Sequence, residues 1–435
     1  MKWQILACCG LAAVLTTSTT AQQAQKVVPP KTVYWMSAAT QAGFGIPGAA
    51  APSASDMMRM AMGGGGSGPI KMLHLDLGSK LPPNPAPGSA DHAVPPVMNM
   101  GTTLPLRSGG KGAPKGPDEE FERPKGKLLL FWGCGENARP GQPVVIDFAK
   151  VAAGEIPPGL FGGERVRIAR PPNAGTWPTY VYWPNGDKRN GSRQVPTSAS
   201  LLGDHKVTGN FAPEMQFTLD KDFMAGVTVR QAKLPSGAVN LNWNGVPGAT
   251  AHFAQMVAGK EEGGAATVVF WSSSEVQTFL SGLSDYIAPA EAARLVGKKQ
   301  LMPPTQTSCA IPKEAIKAAA EQGLILLASH GPEQNIIYPP RPKDPKVDWV
   351  QEWAVKARFV SRSGAILGMD EAAMGGASAG GTASGKPRCK PDSATEAGKA
   401  AGGGVGGSLG RAMGGAIGGL MGGKKKKGAE EDCEP

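Results

Sequence analysis

The sequence predicts a mainly β protein with one or two sandwich-like domains, small helical insertions, Gly/Pro-rich loops and a flexible C-terminal tail that contains a conditional helix. Short β-branched or alternating runs recur along the chain, and several end in an aliphatic–aromatic–Trp triplet. Glycine and proline together make up about 23% of the residues, so long loops are expected between these runs. In residues 402–423 glycine recurs at every fourth position, which would form one flat stripe on a helix.

Composition divides the 435 residues into segments of different character. They are a signal peptide (1–21), a loop-rich N-terminal β region (26–125), a β domain (126–225), a denser β unit (226–362), a flexible linker (363–401), the glycine-rich segment (402–423) and a charged tail (424–435). A hydrophobic share of 41% is enough for folded domains between the signal peptide and the linker.

The N-terminus has the features of a secretory signal. Lys2 supplies the positive start, Ile5–Leu15 is a short apolar stretch, and Thr19–Ala21 offers small residues for cleavage before Gln22. The net charge of +10 favours anionic surfaces. The sequence contains no Arg/Lys-rich helix or aromatic–basic platform typical of nucleic-acid binders, so nucleic acid is not an expected partner.

Cleavage would remove Cys8 and Cys9 and leave the remaining cysteines in an oxidising compartment. Those that remain, Cys134, Cys309, Cys389 and Cys433, allow three pairings. Cys134 and Cys309 lie in folded-looking sequence, whereas the other two flank the glycine-rich segment, and this favours a pairing along the same division. Free thiols are the alternative, and no CxxC or Cys/His spacing indicates a metal site.

Strands are predicted where apolar runs alternate or carry aromatic residues. In the first two β segments these runs are Val33–Met36, Met72–Leu77, Leu128–Trp132, Gln142–Phe148, Thr179–Trp183 and Met215–Leu219. Residues 81–125 contain proline pairs and a Gly/Lys run and are predicted to be loop or linker.

The 226–362 unit has the clearest pattern of elements. Its predicted strands are Val227–Val229, Ala238–Trp243, Ala251–Ala258, Ala266–Trp271, Leu324–Ala328, Asn335–Tyr338 and Trp353–Val360. The last of these is expected to close the sheet. Helices are predicted at Ala288–Val296 and at Pro312–Gln322, which has proline at its first position and glycine just beyond its end.

Val239–Trp243, followed by Val246–Ala249 and His252, resembles strands B and C of fibronectin type III-like domains. In that family an aliphatic-x-Trp strand leads through a V-x-G-A turn into a strand that carries an aromatic residue. The resemblance extends over about 226–340 and implies a sandwich with Trp243 in the core between two sheets. His252 stands where the family usually has tyrosine, and helical insertions after Trp271 are not standard. The implied fold hosts binding more often than catalysis, although fold alone does not fix function.

Two glycine motifs lack the context that their chemistry requires. Gly43–Gly48 fits G-x-G-x-x-G, but Ala/Pro-rich sequence follows it where a nucleotide loop needs the start of a helix. Gly376–Gly380 fits G-x-S-x-G, but it lies in low-complexity sequence, where a nucleophile elbow needs a strand and a helix. No nucleotide, other cofactor or elbow serine is therefore expected.

The five histidines show no metal-ligand spacing. His74 and His252 alternate within apolar strands, so core or edge positions are predicted for them. Asp204 and His205 can be combined with a distant serine as a triad, but any chain of this length permits such a combination.

Two residue classes leave a binding role open. Met57, Met58, Met60 and Met62, with Met98 and Met100, offer soft sulfur ligands for Cu(I), and the alternative is flexible apolar filler. The nine tryptophans can stack on sugar rings, but most sit at strand ends, where core packing is the default.

The glycine-rich segment concerns assembly rather than chemistry. Its stripe comprises Gly402, Gly406, Gly410, Gly414, Gly418 and Gly422, a small-xxx-small pattern that lets helices pack closely in lipid. Glycine costs about 1 kcal/mol per residue in a helix, and Arg411 costs about 2.5–3.5 kcal/mol at the centre of a span. We therefore expect a helix only where lipid or a second copy covers the stripe, and a disordered tail is the alternative. The cations that follow it, Lys424, Lys425, Lys426 and Lys427, suit anionic lipid.

This segment resembles the glycine-zipper stretches of bacterial envelope proteins. The sequence therefore predicts a non-enzymatic structural or interaction module, exported to the periplasm or outer membrane of a Gram-negative bacterium. The expected partners are a second copy of the chain or another envelope protein, with the membrane surface as a further partner. The alternatives are a glycan- or ligand-binding periplasmic protein and a hydrolase. A hydrolase would need a carboxylate pair or a His-based pair in a polar cleft.

Overall fold

The structure is a computed structural model that describes residues 25–43, 69–108, 126–152, 155, 165–185, 194–262, 265–278 and 282–368. Within these residues the protein is mainly β, as the sequence predicts. The predicted signal peptide, the glycine-rich segment, the charged tail and most of the predicted linker lie outside the described residues.

The described residues form strands, three short α-helices and one 3-10 turn. The strands are β1 (Val27–Val28), β2 (Thr32–Gly43), β3 (Ile70–Ser79), β4 (Ser89–Ala93), β5 (Thr103–Arg107), β6 (Gly126–Trp132), β7 (Val144–Asp147), β8 (Thr179–Trp183), β9 (Gln194–Val195), β10 (Gly203–Gly209), β11 (Met215–Leu219), β12 (Val229–Lys233), β13 (Val239–Trp243), β14 (Ala251–Glu262), β15 (Ala265–Ser272), β16 (Ser308–Ile311), β17 (Leu324–Tyr338), β18 (Trp349–Val350) and β19 (Trp353–Ile366). The helices are α1 (Phe148–Ala152), α2 (Pro289–Gly297) and α3 (Lys313–Ala318), and the 3-10 turn spans Pro96–Met98.

Most strands belong to one long sheet. Its order is β11–β10–β4–β5–β8–β3–β2–β19–β17–β14–β15–β6–β7, with β9 paired to β3. Strands β12, β13 and β16 form a second sheet, and β1 pairs in parallel with β18. Because β2 pairs with β19 and β6 pairs with β15, strands from the 26–125, 126–225 and 226–362 segments share the long sheet. Boundaries drawn from composition therefore do not divide this sheet.

The long sheet has an inner face and an outer face of different character. The inner face carries the largest hydrophobic cluster, whose fully buried members include Tyr34, Met36, Leu75, Trp183 and Trp271. The outer face carries two smaller apolar clusters, one beneath α2 and one shared by β6, β7 and β15. Both clusters lie towards the β7 end of the sheet, and the outer face across the neighbouring strands β8, β3, β2, β19 and β17 carries charged side chains such as Asp76, Lys356 and Arg358.

Strand β19, predicted to close the sheet, lies instead in its middle, between β2 and β17. Residues 357–361 are buried without a break, which is typical of a strand that is covered on both faces. The two strands predicted around His330 are one strand, β17, with a register shift between His330 and Glu333. Gly331 permits this shift, since a Cβ there would lie 2.7 Å from the carbonyl oxygen of Phe359.

Two further predictions were wrong in extent. Residues 81–125, predicted to be loop, contain β4 and β5, whose alternate residues are buried. Both runs are poor in the β-branched and aromatic residues that indicate a strand, and β5 itself contains a proline. The helix predicted over Pro312–Gln322 ends at Ala318, since Ala320 and Glu321 adopt positive φ angles.

The three-stranded sheet packs on the inner face of the long sheet. Trp243, at the end of β13, is 6% exposed and shares a core with Met256 of β14 and Ile325 of β17. Strands β13 and β14 lie in different sheets and are joined through Val246–Ala249. The ring of His252 meets Trp243 edge-on at 5.7 Å.

The β11 end of the long sheet curls strongly. Strands at the usual spacing of about 4.8 Å would separate β2 from β4 by about 19 Å in a flat sheet, since β3, β8 and β5 lie between them. Yet the side chains of Tyr34 on β2 and His92 on β4 are hydrogen-bonded at 2.8 Å. At the rim, Gln334 of β17 donates to the carbonyl oxygen of Thr218 at 3.0 Å and accepts from the amide of Asp220 at 3.1 Å. These contacts join the end strand β11 to β17. We call β4, β5, β10 and β11 the curled half of the sheet.

Candidate functional site

Charged and aromatic side chains gather on the outer face at the centre of the long sheet. We call this set the outer polar face; it comprises Trp35, Ser37, His74, Asp76, Tyr182, Glu333, Lys356 and Arg358. Trp35 of β2 lies opposite Asp76 of β3 and Lys356 of β19, and Ser37 lies opposite Arg358. Directly opposed residues point to the same face, so the strand register alone brings together residues from both ends of the chain.

Arg358 is the centre of this face. Its Nε donates to Ser37 Oγ at 2.8 Å and its Nη1 donates to the carbonyl oxygen of Ala169 at 3.1 Å. The guanidinium lies over the rings of Trp35 at 5.1 Å and Tyr286 at 4.2 Å. Burial lowers the pKa of Arg358, although the group remains a cation at neutral pH. The side chain thus fastens two loops, which contain Ala169 and Tyr286, to the sheet.

Asp76 forms a second polar centre next to Arg358. It is 2% exposed, and its Oδ1 accepts from the Tyr180 hydroxyl at 2.6 Å and lies 3.1 Å from His74 Nε2. Its Oδ2 and the Nδ1 of His74 are buried without a hydrogen-bond partner in the described part of the chain. Because an unpaired buried polar atom costs free energy, a donor that reached Asp76 Oδ2 would gain binding energy.

One of the loops packs directly on the sheet at Gly78 of β3. A Cβ at this position would lie 2.6 Å from the Cβ of Pro172 and 2.8 Å from the ring of Trp177. Only glycine admits the loop at this distance, so the sequence of β3 itself specifies where the outer face is covered.

The aromatic rings of the outer polar face already have partners within the protein. Lys356 and Arg358 lie over the ring of Trp35 at 5.3 and 5.1 Å. Tyr182 stacks with Tyr180 at 5.7 Å and lies 6.1 Å from the ring of His74. These contacts occupy ring surface that a sugar would need for stacking.

A chain of hydrogen bonds through two histidines lies in the curled half. The Tyr34 hydroxyl is 2.8 Å from His92 Nδ1, His92 Nε2 is 2.9 Å from His205 Nδ1, and His205 Nε2 is 2.8 Å from the carbonyl oxygen of Leu201. Tyr34 and His92 are 0% exposed and His205 is 2% exposed, and the ring of Phe217 stacks on His205 at 5.3 Å. Burial lowers the pKa of both histidines.

The other two buried histidines lie where β14 pairs with β17. His252 Nδ1 is 2.9 Å from Ser329 Oγ, and its Nε2 is 3.1 Å from the carbonyl oxygen of Pro304. Burial lowers the pKa of His252, and it lowers the pKa of His330 to about 3, to which the charge of Arg362 also contributes. Neither ring nitrogen of His330 makes a hydrogen bond of acceptable geometry within the described residues. His252 thus lies in the core, as the sequence predicts.

Exposed apolar side chains concentrate where the β17–β19 hairpin ends. We call residues 25–28 and 338–352 the hairpin tip. Val27, Tyr338, Val347 and Val350 are between 46% and 54% exposed, and they are half of the exposed large hydrophobic residues of the described chain. A cluster of this kind is more informative than single exposed residues elsewhere, because clustered apolar surface marks contact sites.

Gln25 organises the hairpin tip. Its Nε2 donates to the carbonyl oxygens of Val347 at 2.8 Å and Asp344 at 3.2 Å, and its Oε1 accepts from Arg341 Nε at 2.7 Å. The Gln25 amide therefore supplies hydrogen bonds to carbonyl groups of the turn, while the apolar side chains of the tip stay exposed. Lys26 and Asp348 form an ion pair at 2.9 Å, so the tip carries both signs of charge.

A disulfide joins Cys134, just after β6, to Cys309 in β16. The favoured division of the cysteines is thus confirmed for this pair, whereas Cys389 and Cys433 lie outside the described residues. The bond connects the long sheet with the three-stranded sheet and closes a loop across 175 positions.

Most residues predicted to act in assembly lie beyond the described chain. The stripe from Gly402 to Gly422 and the lysines from Lys424 to Lys427 belong to this undescribed part, as do Met57–Met62 and Gly376–Gly380. Of the methionine patch, Met98 is fully buried in the core, where it acts as apolar filler.

Sequence reasoning missed the outer polar face and the histidine chain. His92 lies in a five-residue strand without a clear strand pattern, and Arg358 is one of three cations in β19, so neither carries a local signal of its role.

Comparison with known protein families, curated proteins and solved structures finds no match for this chain. In the described ranges no helix has the length and apolar character that crossing a bilayer requires. Over the same ranges no three His, Cys, Asp or Glu side chains gather as a set of metal ligands.

Proposed function

We propose that this chain is an exported, non-enzymatic envelope protein that acts as a structural or interaction module. Its β body makes protein contacts through the hairpin tip, and its glycine-rich tail adds self-assembly or membrane association. The disulfide between Cys134 and Cys309 supports export, because such bonds persist in oxidising compartments such as the periplasm. The signal-like N-terminus supports the same placement.

The observation that carries the interaction role is the hairpin tip, where half of the exposed large hydrophobic residues of the described chain lie together. The occupant that suits it best is a second copy of the chain. The tip presents Val347 and Val350 beside Lys346 and Asp348, and a patch with both signs of charge can face its own copy across a two-fold axis.

The test of this role is the oligomeric state of the mature chain by light scattering and crosslinking. Val347→Asp with Val350→Asp should lower the oligomer size, because a charge would enter the centre of the contact. Val97→Asp with Val145→Asp is the matched control, since these valines are 49% and 53% exposed elsewhere on the surface. A parent protein that stays monomeric at all concentrations, or equal loss in both variants, contradicts the proposal.

The tail is tested by fractionation of cells that produce the protein. Deletion of residues 401–435 should move the protein from the membrane fraction to the soluble fraction, and unchanged fractionation would remove the anchoring role. Gly410→Leu with Gly414→Leu should lower the oligomer size in detergent if the glycine stripe drives assembly, because leucine side chains hold the helices apart.

A second candidate function is ligand binding at the outer polar face. It is favoured by the unpaired Asp76 Oδ2 and His74 Nδ1, which a ligand with donor and acceptor groups would satisfy. The measurement is calorimetry with soluble envelope glycans, with Asp76→Asn as the variant. An equal heat of binding for the parent protein and the variant would contradict ligand binding at this face. A hydrolase has less support, since the hydroxyl–imidazole pair of Ser329 and His252 is 0% exposed and lies in the core rather than in a cleft.

A further inference from the structure

The chain through Tyr34, His92 and His205 ties together strands that are not neighbours in the sheet. Tyr34 lies on β2 and His92 on β4, and β3, β8 and β5 lie between these strands. His205 continues the chain on β10, next to β4. The chain therefore crosses the concave interior of the curled half, and its hydrogen bonds hold that curvature.

The positions of the protons in this chain follow from its last acceptor. The carbonyl oxygen of Leu201 can only accept, so His205 carries its proton on Nε2 and accepts at Nδ1. His92 must then donate from Nε2 and accept at Nδ1, where the Tyr34 hydroxyl donates. With both rings neutral, as their burial favours, every nitrogen of the two imidazoles is used.

One more proton would reverse the direction of this arrangement. A protonated His205 would donate from Nδ1 to His92 Nε2, and His92 would then donate from Nδ1 to the Tyr34 hydroxyl oxygen. The Tyr34 hydroxyl proton would lose His92 as its acceptor, and a positive charge would lie in the core, which costs free energy. The rings regain water and their ordinary proton affinity only if the curled half opens.

The charged groups on the neighbouring strands have partners other than the two histidines. They are Asp91 of β4, paired with Arg107 of β5 at 2.9 Å, Lys206 of β10, paired with Glu214 at 2.9 Å, and Asp204 of β10, which accepts from the Thr218 hydroxyl. Burial raises the pKa of Tyr34, and the charge of Asp76 on β3 raises it further. Asp204 raises the pKa of His205, but burial outweighs this effect.

We propose that the Tyr34–His92–His205 chain is an acid-sensitive latch, and that its protonation opens the curled half formed by β4, β5, β10 and β11. The rest of the long sheet stays folded when the latch opens. The rim contact of Gln334 with Thr218 and Asp220 does not titrate, so it holds equally at every pH. This device is independent of export and of the role of the tail.

The test is hydrogen exchange by mass spectrometry on the full mature chain at pH 7.5, 6.5, 5.5 and 5.0, corrected for the intrinsic pH dependence of exchange. Below the ordinary histidine pKa of about 6.5, opening of β4, β10 and β11 should rise about tenfold per pH unit for each proton taken up. Strands β6 and β15, which contain no histidine, should stay more protected than β4, β10 and β11 throughout this range. Equal loss of protection in all strands, or unchanged protection in β4 and β10, overturns the proposal.

Two variants separate the latch from general acid sensitivity. His92→Gln with His205→Gln replaces both rings by groups that do not titrate, so opening of β4 and β10 should no longer depend on pH. Gln334→Ala is the matched control: it should speed exchange in β11 by the same factor at every pH and leave the pH dependence intact. The same pH dependence in the double variant as in the parent overturns the proposal.

A measurement on the parent protein decides the matter even if the double variant does not fold. Nitrogen-15 NMR of the imidazoles should find His92 and His205 neutral at pH 6, each with its proton on Nε2. A charged ring at pH 6 in a protein that still protects the amides of β4 would overturn the latch.

Discussion

Replacing Cys134 and Cys309 by serine should remove a large part of the stability of the folded body. The disulfide closes a loop across 175 positions, and in the chain-entropy treatment a loop of this length adds about 5 kcal/mol to the free energy of unfolding. A domain commonly has a free energy of unfolding of about 5–15 kcal/mol, so the loss is comparable with the total stability. The bond also fixes the three-stranded sheet against the long sheet, and that contact buries Trp243.

The assay is urea unfolding followed by tryptophan fluorescence and circular dichroism, with and without a reductant. The parent should lose about 3–5 kcal/mol when reduced, and the double variant should match the reduced parent under both conditions. Cys389→Ser with Cys433→Ser is the control and should retain the response to reductant. If the double variant were as stable as the oxidised parent to within about 1 kcal/mol, the reasoning would be refuted.

Three further predictions concern the core and the outer polar face. His330 has a pKa of about 3 when folded and about 6.5 when unfolded, so its contribution to the free energy of unfolding is full above pH 6.5 and falls by about 1.4 kcal/mol per pH unit below it. In urea titrations at several pH values, His330→Leu should flatten the pH dependence of stability by that amount, and an unchanged pH dependence would contradict the prediction. Gly78→Ala should destabilise the protein by about 1–3 kcal/mol, because the added Cβ would overpack against the loop. The control Gly245→Ala, whose Cβ would meet nothing within 4 Å, should change stability by less than about 1 kcal/mol, and equal thermal midpoints for the two variants would contradict the prediction. Arg358→Lys should lower the free energy of unfolding by about 1–3 kcal/mol and speed proteolysis of the loop that contains Ala169, because an ammonium cannot make both hydrogen bonds of the planar guanidinium. A cleavage rate equal to that of the parent would contradict the role of Arg358 in holding this loop.

The strands that the sequence predicts correctly are those whose residue types or alternation favour a strand. Val33–Met36 and Met72–Leu77 lie within β2 and β3, and Thr179–Trp183 is β8. These runs are rich in β-branched and aromatic residues or alternate apolar with polar side chains. Strands β4 and β5 are poor in such residues, and five positions of small, polar and proline residues resemble a loop.

The functional groupings are harder to predict than the strands. Arg358 meets Ser37 from 321 positions away, and His92 meets His205 from 113 positions away. No spacing rule connects such residues, because their contact depends on parallel pairing of β2 with β19 and on the curl of the sheet. The disulfide was easier to predict, since few pairings exist for four cysteines.

The sequence by itself determines the β class and most of the long strands. It does so because strand patterning and turn chemistry are local properties of the chain. Only the tertiary structure decides which strands become neighbours, which face of the sheet is polar, and that four of the five histidines are buried. The physical reason is that register and curvature arise from contacts between distant segments, and these contacts determine whether a polar side chain meets water, a partner or the core.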